Sequence, residues 1–237
     1  MPVVLLSWLW LARVPEEPTS RRALGSGIST VIQDLRRAVE RRAATRLDDD
    51  FRSGLGAWRG EAKWAETWSY DAAGFVRPGK LALWVPSLRL ADYQMEFLAQ
   101  IERGGLSWVF RARDLRNYYA ARLLVVDEGP SVAAALVRHA VIEGRAGPRE
   151  RTPLPLALAR ASMQRVRLEA RGSIFALYVN GQLVAHWADE RLPSGGIGFF
   201  GEPGDRVRLR RVTLSHQDDL LGRLCALLAA PAADKEL

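Results

Sequence analysis

Cysteine is nearly absent from this 237-residue chain. Cys225 stands alone, so no intrachain disulfide staples the fold. A lone cysteine leaves the compartment open, since many exported proteins have none. Histidine is almost as scarce. His139, His186 and His216 are scattered, which excludes a histidine-rich metal centre. HExxH, CxxC and the nucleophile elbow are missing, and Gly25-Ser26-Gly27 has no lysine at the spacing of a phosphate loop. No internal repeat is visible. The formal charge of +7 comes almost wholly from arginine, spread along the chain and interleaved with acids. Nucleic-acid binding would rest on that charge alone, without a recognisable module, so nucleic acid is not expected as a partner. No cofactor is expected.

What is present is strand pattern, clearest over residues 92–127. Tyr93, Met95, Phe97, Ala99 and Ile101 fall at every second position, with Gln94, Glu96 and Gln100 between them. This is the period of a half-buried strand. Gly104-Gly105 is read as a turn leading to a second strand over 106–113. Residues 114–117 turn again into a third over 118–126, so the stretch reads as an antiparallel three-strand meander. Further strands are expected over 62–70, 75–78, 80–86 and 132–142, with a polar turn region over 144–155. Residues 165–171 alternate again, and Asn180-Gly181 between two apolar runs is a strong hairpin signal. Short strands follow over 197–200 and 207–214. About a dozen short strands with glycine-rich turns mean a sandwich or barrel, and their uneven lengths favour a two-sheet sandwich.

The flanks read differently. Residues 3–14 (VVLLSWLWLARV) are apolar but short of the ~20 residues that span a bilayer. A basic n-region of a signal is also lacking. An element packed on the main domain, an interfacial anchor, a processed signal, a remnant of a longer membrane segment and disorder all remain open readings. Proline, glycine and serine make residues 15–27 a linker. From residue 28 to 47 apolar residues recur at three and four, opposite Arg36, Arg37, Glu40, Arg41, Arg42 and Arg46, which predicts a basic amphipathic helix. It could pack on the domain, self-associate, meet an envelope partner, or lie on an anionic membrane with its arginines reaching headgroups. Leucines at 220, 221, 224, 227 and 228 predict a short C-terminal helix. The expected layout is a hydrophobic segment and linker (1–27), a helix (28–47), an all-β antiparallel sandwich (48–216), and a helix with tail (217–237). The expected location is the cell envelope or a membrane surface, with the cytoplasm as the alternative.

Three stretches, GGLSWVFRARDLRNYYAARL, VRLEARGSIFALYVNGQLVAHW and GGIGFFGEPGDRVRLRRVTL, together resemble the concanavalin A-like lectin/glucanase superfamily. Phe110-Arg111, Asp114 and Asn117-Tyr118-Tyr119 carry the likeness best, in the style of laminin-G-like and glycosyl-hydrolase-like jelly rolls, over roughly residues 49–215. The resemblance implies a jelly-roll sandwich that binds glycan or protein, serves a structural role, or acts on carbohydrate. The glucanases resembled carry three acids at alternate positions of one strand. This chain has none: Asp92, Glu96 and Glu102 are not so spaced, nor are Glu66 and Asp71. The expectation is therefore a non-catalytic module. The alternative is a hydrolase or lyase whose acids come from different strands.

Sugars stack on aromatic faces and hydrogen-bond to planar polar groups. Six of the eight tryptophans fall in the sandwich. Trp64 and Trp68 share a strand face with Tyr70 if residues 62–70 are extended. Arg111 and Arg113 are expected to share a face with Ser107 and Val109, opposite Trp108 and Phe110. The candidate ligand-binding residues are Trp68, Tyr70, Arg111, Arg113 and Tyr118.

Overall fold

Alternating side chains commit this chain to strands that each bury one face. The computed structural model describes residues 44–71, 73–125, 131–159 and 162–217. Among them are β1 (Ala44–Asp49), β2 (Trp58–Gly60), β3 (Ser69–Tyr70), β4 (Val76–Arg77), β5 (Ala82–Trp84), β6 (Tyr93–Arg103), β7 (Gly105–Asp114) and β8 (Asn117–Val125). The second half adds β9 (Ser131–Ile142), β10 (Arg145–Ala146), β11 (Glu150–Ala159), β12 (Met163–Arg171), β13 (Ile174–Val179), β14 (Gln182–Ala188), β15 (Gly196–Phe200) and β16 (Arg206–Gln217). They build two antiparallel sheets. The first runs β14-β13-β12-β6-β16-β4-β3, with β1 also on β16. The second runs β10-β9-β8-β7-β15-β5-β2, with β11 also on β9.

The expected apolar stripe of β6 forms the middle of the core. Tyr93, Met95, Phe97, Ala99 and Ile101 are all buried, and they pack with Leu106, Trp108 and Phe110 of β7. Trp58 is an aromatic hub, with ring centroids 5.5 Å from Phe51, 5.6 Å from Trp68, 6.0 Å from Trp84 and 5.9 Å from Phe199. Its indole N–H donates to Asp49 at 2.7 Å, so the polar edge of the ring is satisfied at the margin of the core.

Several expectations are corrected. The central stretch is no three-strand meander: β6 lies in the first sheet and β7 in the second, so Gly104-Gly105 carries the chain from one sheet to the other. Gly104 has φ +77°, and a Cβ there would run into Asp205 Oδ1. Only β7 and β8 pair as a hairpin. Residues 62–70 are not one strand, because a 3-10 turn at Ala65–Thr67 interrupts them. The region 144–155 is not all turn, since β11 begins at Glu150. Pro153 and Pro155 lie in β11, an edge strand, where a missing N–H breaks no ladder on the open side.

The all-β two-sheet sandwich is present, but the flanking helices fail where they can be followed. Residues 44–47, expected as the last helical turn, are strand β1, with Leu47 opposite Leu214 and Asp48 opposite Thr213. Arg211 clasps Asp48 at 2.6 and 2.8 Å on the same ladder. Pairing with a long strand satisfies the backbone groups along one side of this segment and sets Leu47 against Leu214, which outweighs a local helical period. β16 likewise extends to Gln217, where the second helix was expected to begin. Among the described residues there is no α-helix, only the 3-10 turns Ala65–Thr67 and Val85–Ser87. Among the described residues helix-mediated self-association therefore has no element to act through, and that expectation is withdrawn. Residues 1–43 and 218–237 lie outside the described residues. Among those described, no helix is long and apolar enough to cross a membrane.

One loop carries a built-in acid sensitivity. The Tyr119 hydroxyl donates to Asp189 at 2.6 Å and accepts from Leu192 N at 3.0 Å, while Arg191 Nε donates to the same carboxylate at 2.9 Å. Burial alone would push the Asp189 carboxyl up, but the hydrogen bonds from Arg191 and Tyr119 hold it at about 2. A depressed carboxyl stabilises the fold fully above the unfolded carboxylate range and loses that contribution as pH falls through its folded value. The stability gap between wild type and Asp189→Asn, measured by urea denaturation, is accordingly expected to be full at about pH 6, to shrink below about pH 4 and to close only as pH falls through about 2.

Candidate functional site

β7 holds an irregularity that decides where the expected ligand residues go. Its pairing with β8 slips between Phe110 and Asp114, and its pairing with β15 slips between Gly196 and Gly198. Arg111 adopts φ +49°, an uncommon backbone state for a non-glycine residue. The bulge sends Phe110 and Arg111 both inward and returns Ala112 to the outer face beside Val109. Arg111 is fully buried. Its guanidinium donates to the carbonyls of Pro193 and Gly172 (the latter at 2.8 Å) and to Asp92 at 3.2 Å. It lies 5.7 and 5.8 Å from the ring centroids of Tyr93 and Phe175. Three segments of the chain are tied together by this one side chain.

The other four expected residues are dispersed. Trp68 is buried, donates to Lys80 O at 2.7 Å and meets Trp64 edge-on at 5.6 Å. Tyr70 is exposed on β3, the end strand of the first sheet, and burial together with the nearby Asp49 raises its hydroxyl pKa. Arg113 is exposed near the end of β7. Tyr118 is half-buried against an apolar cluster on the outer face of the second sheet, and burial followed by Glu61 raises its hydroxyl pKa. The structure does not bring these five together.

The outer face of the second sheet is where chemistry gathers. Its centre is apolar and made of small side chains: Leu83, Val109, Ala112 and Ala120 are buried there, apart from the main core. Gly198 lies between Leu83 and Val109, and a Cβ on it would be 2.8 Å from Leu83 and 3.0 Å from Val109. Beside this floor lies a hollow of about 190 Å³ bordered by Ala120, Arg122, Val137, His139, Phe200 and Glu202, with Arg149 at its margin.

Arg122 is the one charge in an otherwise apolar and aromatic run of β8, and the turn 201–205 holds it in place. Its two terminal nitrogens donate to Asp205 at 2.9 and 2.7 Å, and Nη1 also reaches Glu202 at 2.9 Å and Ser107 Oγ at 3.2 Å. Asp205 further accepts from Gly105 N at 3.1 Å and Glu202 N at 2.9 Å. The forked guanidinium and nearly buried carboxylate thus fasten the turn to β7 and β8 and set Glu202 at the mouth of the hollow. Across the ladder from Ala120 stands His139, whose Nδ1 is buried without a hydrogen-bond partner. Burial, and then the positive charge of Arg149, lower its pKa against a smaller opposing effect of Glu202. It therefore meets neutral pH as an uncharged imidazole, able both to donate and to accept.

A second hollow, about 340 Å³, lies on the outer face of the first sheet. It is larger but chemically occupied. Arg165 pairs with Glu96 at 3.6 Å, Arg167 lies 3.9 Å over the Tyr178 ring, and Asn180 joins Arg165 N to Gln164. Among the described residues no cluster of three or more His, Cys, Asp or Glu side chains could hold a metal ion.

No family model matches the chain, and no curated protein matches it. Solved structures do. The Bacillus licheniformis β-glucanase superposes with a TM-score of 0.51 at 10% identity, over 71% of this chain and 97% of that one. A Crh5 transglycosylase in complex with NAG gives 0.50 at 12%, over 74% and 86%. The carbohydrate binding module CBM66 from Bacillus subtilis gives 0.44 at 18%, over 68% and 92%. This is the concanavalin A-like lectin/glucanase fold. At such identities the likeness lies in the path of the backbone.

Within the concanavalin A-like frame, the strand acids that could imitate a glucanase triad are engaged elsewhere. Glu96 and Glu102 project from β6 on the first sheet, where they pair with Arg165 and with Arg208 (2.9 Å). At the hollow the carboxylates are Glu202 and, beneath it, Asp205, both held by Arg122. Arg122, His139, Phe200, Glu202 and Asp205 were not picked out in sequence. The one available signal was a lone arginine among apolar residues in β8, which asks for a buried acid; nothing local says that the acid lies 83 residues away.

Proposed function

We propose that this protein engages a carbohydrate on the outer face of its second sheet, with one sugar ring seated in the hollow between Phe200 and His139. The observation that carries the reading is the hollow's make-up. It joins an apolar floor and an aromatic wall with the Arg122–Glu202 pair and a histidine whose Nδ1 has no partner. A pyranose presents the matching surfaces, an apolar ring face and a rim of hydroxyls that donate and accept. The room is that of a single ring rather than a long chain.

Two forms of this reading are separable. Binding without chemistry is supported by the side chains, since both carboxylates at the hollow are held by one arginine and retaining or inverting cleavage calls for two acids facing the glycosidic bond. Action on the carbohydrate is supported by the fold, since a β-glucanase and a transglycosylase superpose on it with TM-scores of 0.51 and 0.50.

A glycan array probed with the full chain and with Phe200→Ala tests the common part. Glycan binding is expected to weaken about tenfold on loss of the ring while the melting temperature moves little. Equal binding by both proteins would remove the hollow from consideration. Reducing-end release from the bound glycan, compared with Glu202→Gln, separates the two forms: steady release that the variant abolishes identifies an enzyme, and none identifies a binding module.

A further inference from the structure

Beside the hollow the charges are unevenly shared. On the β15 side two carboxylates, Glu202 and Asp205, face the single cation of Arg122. On the β11 side the balance reverses. Arg149 borders the hollow, and Arg151 stands opposite Val137, another of its lining residues. Arg149 lies just before β11 and Arg151 within it, on either side of Glu150, and both are exposed. Neither has an ion pair or hydrogen bond among the described residues. Several other arginines on the sheet faces are engaged, as with Arg165 by Glu96, Arg208 by Glu102 and Arg211 by Asp48. Between the two sides lies His139 with its unpartnered buried Nδ1. A ring held there has hydroxyls toward Glu202 and one edge toward Arg149, with Arg151 two residues further on opposite Val137.

Resting on the carbohydrate reading above, we infer that the sugar is acidic, with a carboxylate or sulfate group held by Arg149 and Arg151 at the β11 edge. Guanidinium groups match planar carboxylate and sulfate oxygens with paired, charge-assisted hydrogen bonds, which neutral sugars cannot return. Glu202 repels the same anion from the opposite side and so sets its direction in the hollow.

The test uses the full chain against immobilised polygalacturonate, alginate and hyaluronate as carboxylates, chondroitin sulfate and carrageenan as sulfates, and β-glucan, mannan and galactan as neutral chains. At least one anionic polymer is expected to bind more tightly than every neutral one. The Arg149→Gln/Arg151→Gln double variant is expected to weaken it about tenfold or more, the loss of charge-assisted hydrogen bonds. Arg165→Gln/Arg167→Gln on the first sheet removes the same charge elsewhere and should leave binding within about twofold. The carboxylate and sulfate arms tell which anion is read. Equal losses in both double variants would mean nonspecific attraction to a basic protein, and would overturn the inference. Neutral chains bound best, with Phe200→Ala still harmful, would overturn the acidic sugar and leave the hollow standing. No binding to any member would overturn both.

Discussion

Replacing Arg111 with methionine is expected to lower the free energy of unfolding by about 3–5 kcal/mol, the scale of breaking a buried charge network. Methionine fills much of the volume but donates nothing. The carbonyls of Pro193 and Gly172 then lose their donor, and Asp92 keeps only Gly172 N, at 2.8 Å. Asp92 is largely exposed and can turn to water, so most of the loss falls on the two carbonyls and on the cation–π contacts with Tyr93 and Phe175. Lysine is expected to recover less than half of the loss, because one ammonium cannot reproduce a fork that serves three acceptors. The denaturant midpoint reports this directly, provided the slope of the transition is unchanged. A loss under about 1 kcal/mol would mean that the bulge at Arg111 does not need its guanidinium.

Asp205→Asn should be nearly as costly, at about 3 kcal/mol, and should also remove glycan binding. The amide keeps the size of the carboxylate but puts a donor where Arg122, Gly105 N and Glu202 N all require acceptors. Arg122 is left largely buried with only the more exposed Glu202 as a counter-ion, and the turn 201–205 loses its fastening. Glu202→Gln offers the contrast. Its carboxylate is more open to solvent, so its loss should cost under about 1 kcal/mol in stability and act mainly on binding. If the two variants were equally destabilised, Asp205 would not be the member that organises the turn.

How far the sequence could be read followed from how local each interaction is. The alternation of β6 and β12 and the Asn180-Gly181 hairpin were legible because a two-residue period and two residues at positive φ are properties of neighbours. The crossing at Gly104-Gly105 was not, since the same glycines serve a hairpin or a passage between sheets, and Asp205 decides between them. Residues 44–47 ended a helical period, yet a partner strand was available in β16 and took them. Arg111 was assigned to the wrong face because one bulge reverses every side chain beyond it. The candidate site was the least legible part. Arg122, His139 and Glu202 come from three separate strands and turns, and only the order of strands in the second sheet brings them together.

Shift mapping by ¹H–¹⁵N NMR with the tightest-binding glycan of the panel locates the contact without relying on any substitution. The perturbed amides should cluster at Ala120, Arg122, Val137, His139 and Phe200 on the outer face of the second sheet. Perturbation centred instead on Glu96, Arg167 and Tyr178 of the first sheet would contradict the placement of the sugar, as would a spectrum that no glycan changes.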